Sequence, residues 1–340
     1  MKAKTKTSSS GLPSNRKGWD KLVKFDTLSE AFIEQHADKL DWSLVFSCQK
    51  LSEAFIEKHA DKINWSDEIS RCQTLSEEFI ECHADKLDWE WISYYQKLSE
   101  AFIEKHADRV NWLDVSNKQT LSEEFIERFA DKVDWYWISH QQRLSEPFIE
   151  KHIDKLGWEP IATFQTLSEA FIEKHADKLD WSLVSGCQKL SEEFIERHAD
   201  EVDWSEISDR QRLSEAFIDK MADKVEWEGI SCGQKLSEAF IEKYADKVNW
   251  GLISECQRLS EEFIEKHADE VEWSAISGSQ TLSERFIEKH SEQVDWQWIF
   301  HSQKLSTAFL KRNSDKVDRN DHFLFSAYQI ALANSEKMRS

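Results

Sequence analysis

The chain has 340 residues, with 65 acidic against 44 basic side chains, a net charge of −21, and an apolar share of 40% that includes 16 Trp and 20 Phe. Only 8 glycines and 3 prolines occur, which argues against an all-β or a disordered chain. No apolar run approaches the roughly 18 residues of a membrane-spanning helix, and the acidic balance opposes the phosphate contacts on which nucleic-acid binding depends.

The first segment is the exception in charge. Residues 1–24 carry Lys2, Lys4, Lys6, Arg16, Lys17, Lys21 and Lys24 against Asp20, a local +6 that leaves −27 for residues 25–340. Residues 1–18 read as a basic, disordered leader without the apolar stretch of a signal peptide. If nucleic acid is contacted at all, this leader is where. Trp19 stands 23 residues before Trp42, so residues 19–27 read as a half-repeat that caps the N-terminal end of a repeat array.

From Leu28 the chain restarts one phrase thirteen times, the last at Leu305, at a step of 23 residues except for 24 between Leu51 and Leu75. The copy from Leu259 runs LSEEFIEKHADEVEWSAISGSQT. Self-similarity at such a period marks a repeat architecture. Each copy holds two helical signals. Ser29 is an N-cap, Leu28 and Ile33 suit a hydrophobic staple around it, and Glu30 favours the positive end of the helix. Phe32, Ile33, His36, Ala37 and Leu40 follow with helical spacing, predicting a first helix of about three turns. Asp41 then caps a short second helix from Trp42 to near Gln49. Pro147 and Pro160 both fall in the first turn of a predicted helix, where no intrahelical N–H is lost. Residues 305–333 diverge, with Asn313 in the His slot and Arg319 in the Trp slot, and read as a C-terminal cap including a longer helix near His322–Leu332. Residues 334–340 read as a tail.

One such pair cannot bury its apolar face alone, and stacking makes the core continuous. The expected fold is therefore all-α: an α-solenoid of about thirteen two-helix repeats spanning 19–333, with a divergent C-terminal capping helix. The Trp of the second helix reads as core, and the Gln seven residues later as an amide satisfying backbone groups at the junction with the next unit.

Candidate chemistry is thin. His36, His59, His83, His106, His152, His175, His198, His267 and His290 share a slot that elsewhere holds Phe129, Met221 and Tyr244, so it reads as packing. Rings one repeat apart, about 10 Å, cannot share a zinc ion that holds its nitrogens at about 2.0–2.1 Å. There is no HExxH, phosphate-cradling Gly-rich loop or nucleophile elbow. No catalytic residue, metal or cofactor is expected. Acidic residues recur beside Lys, as solvated faces do. Cys48, Cys72, Cys82, Cys187, Cys232 and Cys256 form no CxxC and read as free thiols of a reducing compartment.

Variation concentrates one, two, five and six residues after the repeat Trp. A fixed frame with diversified positions on one helix is how repeat proteins display a recognition surface, and exposed Trp and Tyr are typical anchors. The candidate binding residues are Trp91, Tyr94, Tyr95, Tyr136, Trp137, His140, Phe164, Trp298 and His301.

The consensus phrase LSEEFIEKHADKVDW, followed by a short helix and Gln, resembles tandem repeats in proteins of giant DNA viruses and some bacteriophages, from Leu28 to about Val317. The resemblance implies a helical array in a viral setting and carries no assigned activity. The expectation is a non-catalytic scaffold in the host-cell cytoplasm that binds a host or viral protein and no membrane. The alternatives are a self-associating structural protein of a virion or replication compartment and an acidic nucleic-acid mimic.

Overall fold

The computed structural model describes residues 12–317 and 321–337. The leader expected over residues 1–18 lies outside the described residues as far as residue 11. Among the described residues the chain is all-helical, with about 62% of it in helices arranged as two-helix repeats of about 23 residues, an α-solenoid. The repeats fall into two compact units that divide after Thr166.

The first helix, Arg16–Phe25, begins three residues before Trp19 because Asn15 caps it, accepting the Gly18 N–H at 2.9 Å. Trp19 and Val23 are its buried residues. Within a repeat the first helix is shorter than expected. Glu30–Gln35 has six residues, with the Ser29 hydroxyl accepting the Phe32 N–H. The stop lies in the His slot. His36 leaves helical geometry at φ −120°, ψ 21°, and its N–H is shared between the carbonyls of Phe32 and Ile33. A tight turn closed by the Lys39 N–H on the His36 carbonyl at 2.9 Å then returns Leu40 to the core. One copy runs on: Glu146–Leu156 continues across a kink at His152 and ends at Gly157, whose φ of +78° is open to glycine at little cost.

The second helix follows, as in Trp42–Cys48, with the Asp41 carboxylate accepting the Ser43 and Leu44 N–H groups. Within each unit consecutive second helices pack side by side. Close approach is visible where Gly233 lies against the Asp209 carbonyl, a space that any Cβ would fill. The core is a spine of Ile from the first helices and Ile or Val from the second, such as Ile103, Val115, Ile126 and Ile138, all fully buried, flanked by the repeat Leu and Phe. The repeat Trp is a correction to the sequence reading. All but Trp89 are only half-buried, because the rings lie at the edge of the core, most with the Nε1 donating to a carbonyl five residues back, as Trp112 does to Ala107 at 2.9 Å.

The extra residue of the second copy forms a π-helical turn over Trp65–Ile69. That turn keeps Ser70 in register for its neighbour, as a π-bulge absorbs one inserted residue without breaking the helix. At the C-terminal end, His322–Lys337 packs on the helices Trp296–Ser302 and Thr307–Arg312. Tyr328 meets Phe300 edge-on at 5.2 Å, and the Thr307 and Ser335 hydroxyls are 3.0 Å apart. The helix therefore reaches into the segment expected as a tail. No helix among the described residues is long and apolar enough to cross a membrane.

Candidate functional site

The regular polar slots are occupied with holding repeats together. Gln119 is typical: its Oε1 accepts the Leu98 N–H at 3.0 Å, and its Nε2 donates to the carbonyls of Ser93 at 2.9 Å and Gln96 at 2.8 Å. The amide thus joins the start of its own repeat to the end of the preceding one, not the next. The same trio recurs at Gln257 in the second unit, on Leu236, Ser231 and Gln234. Two further ladders lie beyond what the sequence pattern indicates. In several repeats the Ser four residues after the Trp donates to the Trp carbonyl and accepts the N–H of the next second-helix cap, as Ser93 does with Trp89 at 2.6 Å and Asn111 at 2.9 Å. The Glu that opens each first helix accepts the N–H of the next repeat's cap Ser, as in Glu30 with Ser52 and Glu169 with Ser191, both at 2.6 Å. Where Phe46 replaces the ladder Ser, the nearly buried Glu68 takes the orphaned Asn64 N–H at 3.2 Å.

Many of the carboxylates are likewise engaged across repeats rather than simply solvated. Lys105 and His106 both reach Glu81, at 2.9 and 2.7 Å, and Lys151 and His152 both reach Glu127, at 2.5 and 3.4 Å. These pairings hold the Glu81 and Glu127 carboxyls below the ordinary glutamate range, the lysine hydrogen bond contributing most. Each His ring packs on aromatic neighbours, as His106 does on Trp89 at 4.7 Å and Phe102 at 4.6 Å, and Phe129 takes the same place on Trp112 at 5.0 Å. Burial opposes a charge on His198, but hydrogen bonds to Glu173 and Glu201 outweigh it and raise its pKa. Among the described residues no group of three or more His, Cys, Asp or Glu side chains is arranged to hold a metal ion.

What remains free is the outer face of the second helices. In the first unit, Trp89–Tyr95, Trp112–Lys118, Trp135–Gln141 and Trp158–Phe164 lie consecutively. Tyr94, Tyr95, Leu113, Tyr136 and Phe164 are exposed there, Tyr136 at 59% and Phe164 at 54%, while Trp91, Trp137 and His140 are half-buried. The rings form two groups. Trp91 and Tyr94 flank Tyr95, with centroids 5.7 and 4.7 Å away. His140 stacks between Tyr136 at 4.0 Å and Phe164 at 4.6 Å, with Trp137 edge-on to Tyr136. Cations sit on this face too: Lys118 lies 4.6 Å from the Tyr94 centroid and Arg71 lies 5.9 Å from that of Trp91.

The other two candidates belong to the second unit. Trp298 and His301 meet edge-on at 5.9 Å. Trp298 closes a cavity of about 270 Å³ with Glu255, Ser274, Ala275, Gly278 and Ser279. In the same unit Cys232 and Cys256 are joined by a disulfide between neighbouring second helices, their Cα atoms 5.2 Å apart. This corrects the reading of all six cysteines as free thiols; Cys48, Cys72, Cys82 and Cys187 are free. The spacing gave no warning because the two residues sit five and six positions after successive repeat tryptophans. No protein-family model, curated protein or solved structure matches this chain.

Proposed function

We propose that the protein is a non-catalytic scaffold that binds another protein through the aromatic face of the second helices in its first unit. The observation that carries this reading is the run of exposed Tyr94, Tyr95, Leu113, Tyr136 and Phe164 across four consecutive helices. Large apolar side chains left in solvent together mark interaction surfaces, and Tyr and Trp give much contact area for little side-chain entropy. The polar slots are taken up by the frame, which leaves this face as the part of the repeat free to differ. The pairing of carboxylates across repeats favours the rings over the acidic surface as the contact, and so favours a scaffold over a nucleic-acid mimic. The motif's resemblance to virus-borne arrays makes a protein of the infected cell the partner class within this proposal.

The test is affinity capture with the full chain beside a variant carrying Tyr94→Ala, Tyr95→Ala, Tyr136→Ala and Phe164→Ala. A partner that binds the native chain at least tenfold more tightly than the variant is expected. Partners held equally by both overturn the assignment of this face.

A further inference from the structure

Three second helices place an acid two residues after the repeat Trp and a base four residues further on: Asp67 with Arg71, Asp114 with Lys118, and Glu206 with Arg210. Such i,i+4 neighbours ordinarily pair. Two do, Asp67 with Arg71 at 3.2 Å and Glu206 with Arg210 at 2.8 Å. The third is open. Lys118 turns its ammonium onto the ring of Tyr94 instead. Asp114, only 7% exposed, is left with no hydrogen bond or ion pair to its carboxylate among the described residues. Burial and then the nearby Glu90 raise the pKa of this carboxyl, with Lys118 acting in the opposite sense.

Among the described residues the Asp114 oxygens are not sealed from solvent, so this largely buried carboxylate without a counter-charge is open to a cation from outside. Its setting suits one. In the register of the repeats Asp114 stands between Trp91 and Trp137, which occupy the same position on the preceding and following second helices. The indole of Trp91 already has the guanidinium of Arg71 over it at 5.9 Å, the attraction of a cation to a ring face.

We propose that Asp114, with Trp91 and Trp137 on either side, is the docking point for an arginine side chain presented by the protein partner. The inference rests on the aromatic face being the binding surface and adds the partner's chemistry: a basic segment whose guanidinium meets the Asp114 carboxylate and stacks against indole. Arginine suits the place better than lysine because its planar fork pairs a carboxylate bidentately and also stacks on aromatic rings.

The experiment titrates the full chain with a short blocked peptide holding one arginine between glycines, followed by tryptophan fluorescence and calorimetry, beside the same peptide with neutral citrulline or with lysine. The arginine peptide is expected to saturate and to bind at least tenfold more tightly than the citrulline peptide, with lysine between them. Asp114→Asn should remove that preference, whereas Glu206→Gln, which alters an acid that already has its partner, should not. Equal binding of the arginine and citrulline peptides, no saturable binding, or a preference that survives Asp114→Asn overturns the inference. The two readings fail separately. A partner lost with the tyrosine and phenylalanine substitutions but kept by Asp114→Asn leaves the face standing without the arginine.

Discussion

The second helices from Trp89 to Phe164 and those from Trp181 to Ser279 share one frame and present different surfaces. Both runs keep the Gln amide on three backbone groups, and in both a Ser hydroxyl such as Ser93 or Ser254 sits between a Trp carbonyl and the next cap, at nearly the same distances. Yet no large hydrophobic residue between 165 and 297 is exposed, where the first run has five. The solvent positions of the second run hold Ser, Gly, Glu, Asp, Arg210, Cys187 and the bridged Cys232 and Cys256. The difference teaches that frame and display are separable. What the backbone needs is constant from copy to copy, and what faces outward is free to be rings in one place and small or charged groups in another.

The sharpest way to break that comparison is to remove the frame. Gln119→Ala strands the Leu98 N–H and the carbonyls of Ser93 and Gln96 in buried surroundings. At about 1–3 kcal/mol for each unsatisfied group, the loss should be at least about 3 kcal/mol. Gln257→Ala in the second unit should cost the same, read by urea denaturation. A loss under about 1 kcal/mol at either site means that the amide is not what joins the repeats. The next effect should be one-sided. Reducing the disulfide between Cys232 and Cys256, or replacing Cys232 with Ser, frees a loop of 24 residues, for which chain entropy gives about 3 kcal/mol. Hydrogen exchange should show the loss in the second unit and leave the first unchanged; a loss spread over both would contradict the assignment.

The frame was legible where its cause is local. A Ser before an apolar run, an Asp or Asn before most of the repeat tryptophans, and Pro147 within the first turn of Glu146–Leu156 each act within a few residues of themselves. The missed features act at a distance of one repeat. The carboxylate of Glu30 has its partner 22 residues ahead and the hydroxyl of Ser93 has its partner 18 ahead, so neither bond is visible inside a single copy. The early end of the first helix was hidden for another reason, because nothing in the composition of EQHADK marks the His slot as the stop. On the display side the variable positions fall on one helix of each repeat, and exposure divides them: Tyr136 and Phe164 outward, Trp91 and Trp137 half-inward. The open state of Asp114 depends on which neighbour Lys118 chooses, which spacing alone does not decide.

A smaller effect separates copies by pH. His198 has its pKa raised above 6.5, so its contribution is fully present below that value and fades as pH rises through the folded-state value. Glu173 is held below 4.5, first by its hydrogen bond from His198, so its contribution is present above 4.5 and fades as pH falls through its own lowered value. Both contributions are therefore full between 4.5 and 6.5. The native chain should melt highest in that window, and His198→Phe, a replacement already present at Phe129, should flatten the alkaline side of the profile. An unchanged profile in the variant would show that this contact does not couple protonation to folding.

The smallest expected change in stability is also the most informative about display. Tyr136 and Phe164 have more than half of their surface in solvent, and neither supplies a hydrogen bond from its side chain to the frame. Replacing each with Ala should alter stability by no more than about 0.5 kcal/mol, the ordinary range for surface positions. The contacts at risk are the edge of Trp137 on Tyr136 and the stacking with His140 between the two rings, the latter isolated as a coupling term by two single substitutions and the double. If either substitution costs more than about 2 kcal/mol, the rings belong to the fold. They would then be an outer layer of packing on the first unit, and the difference between the two runs of helices would be one of construction and not of recognition.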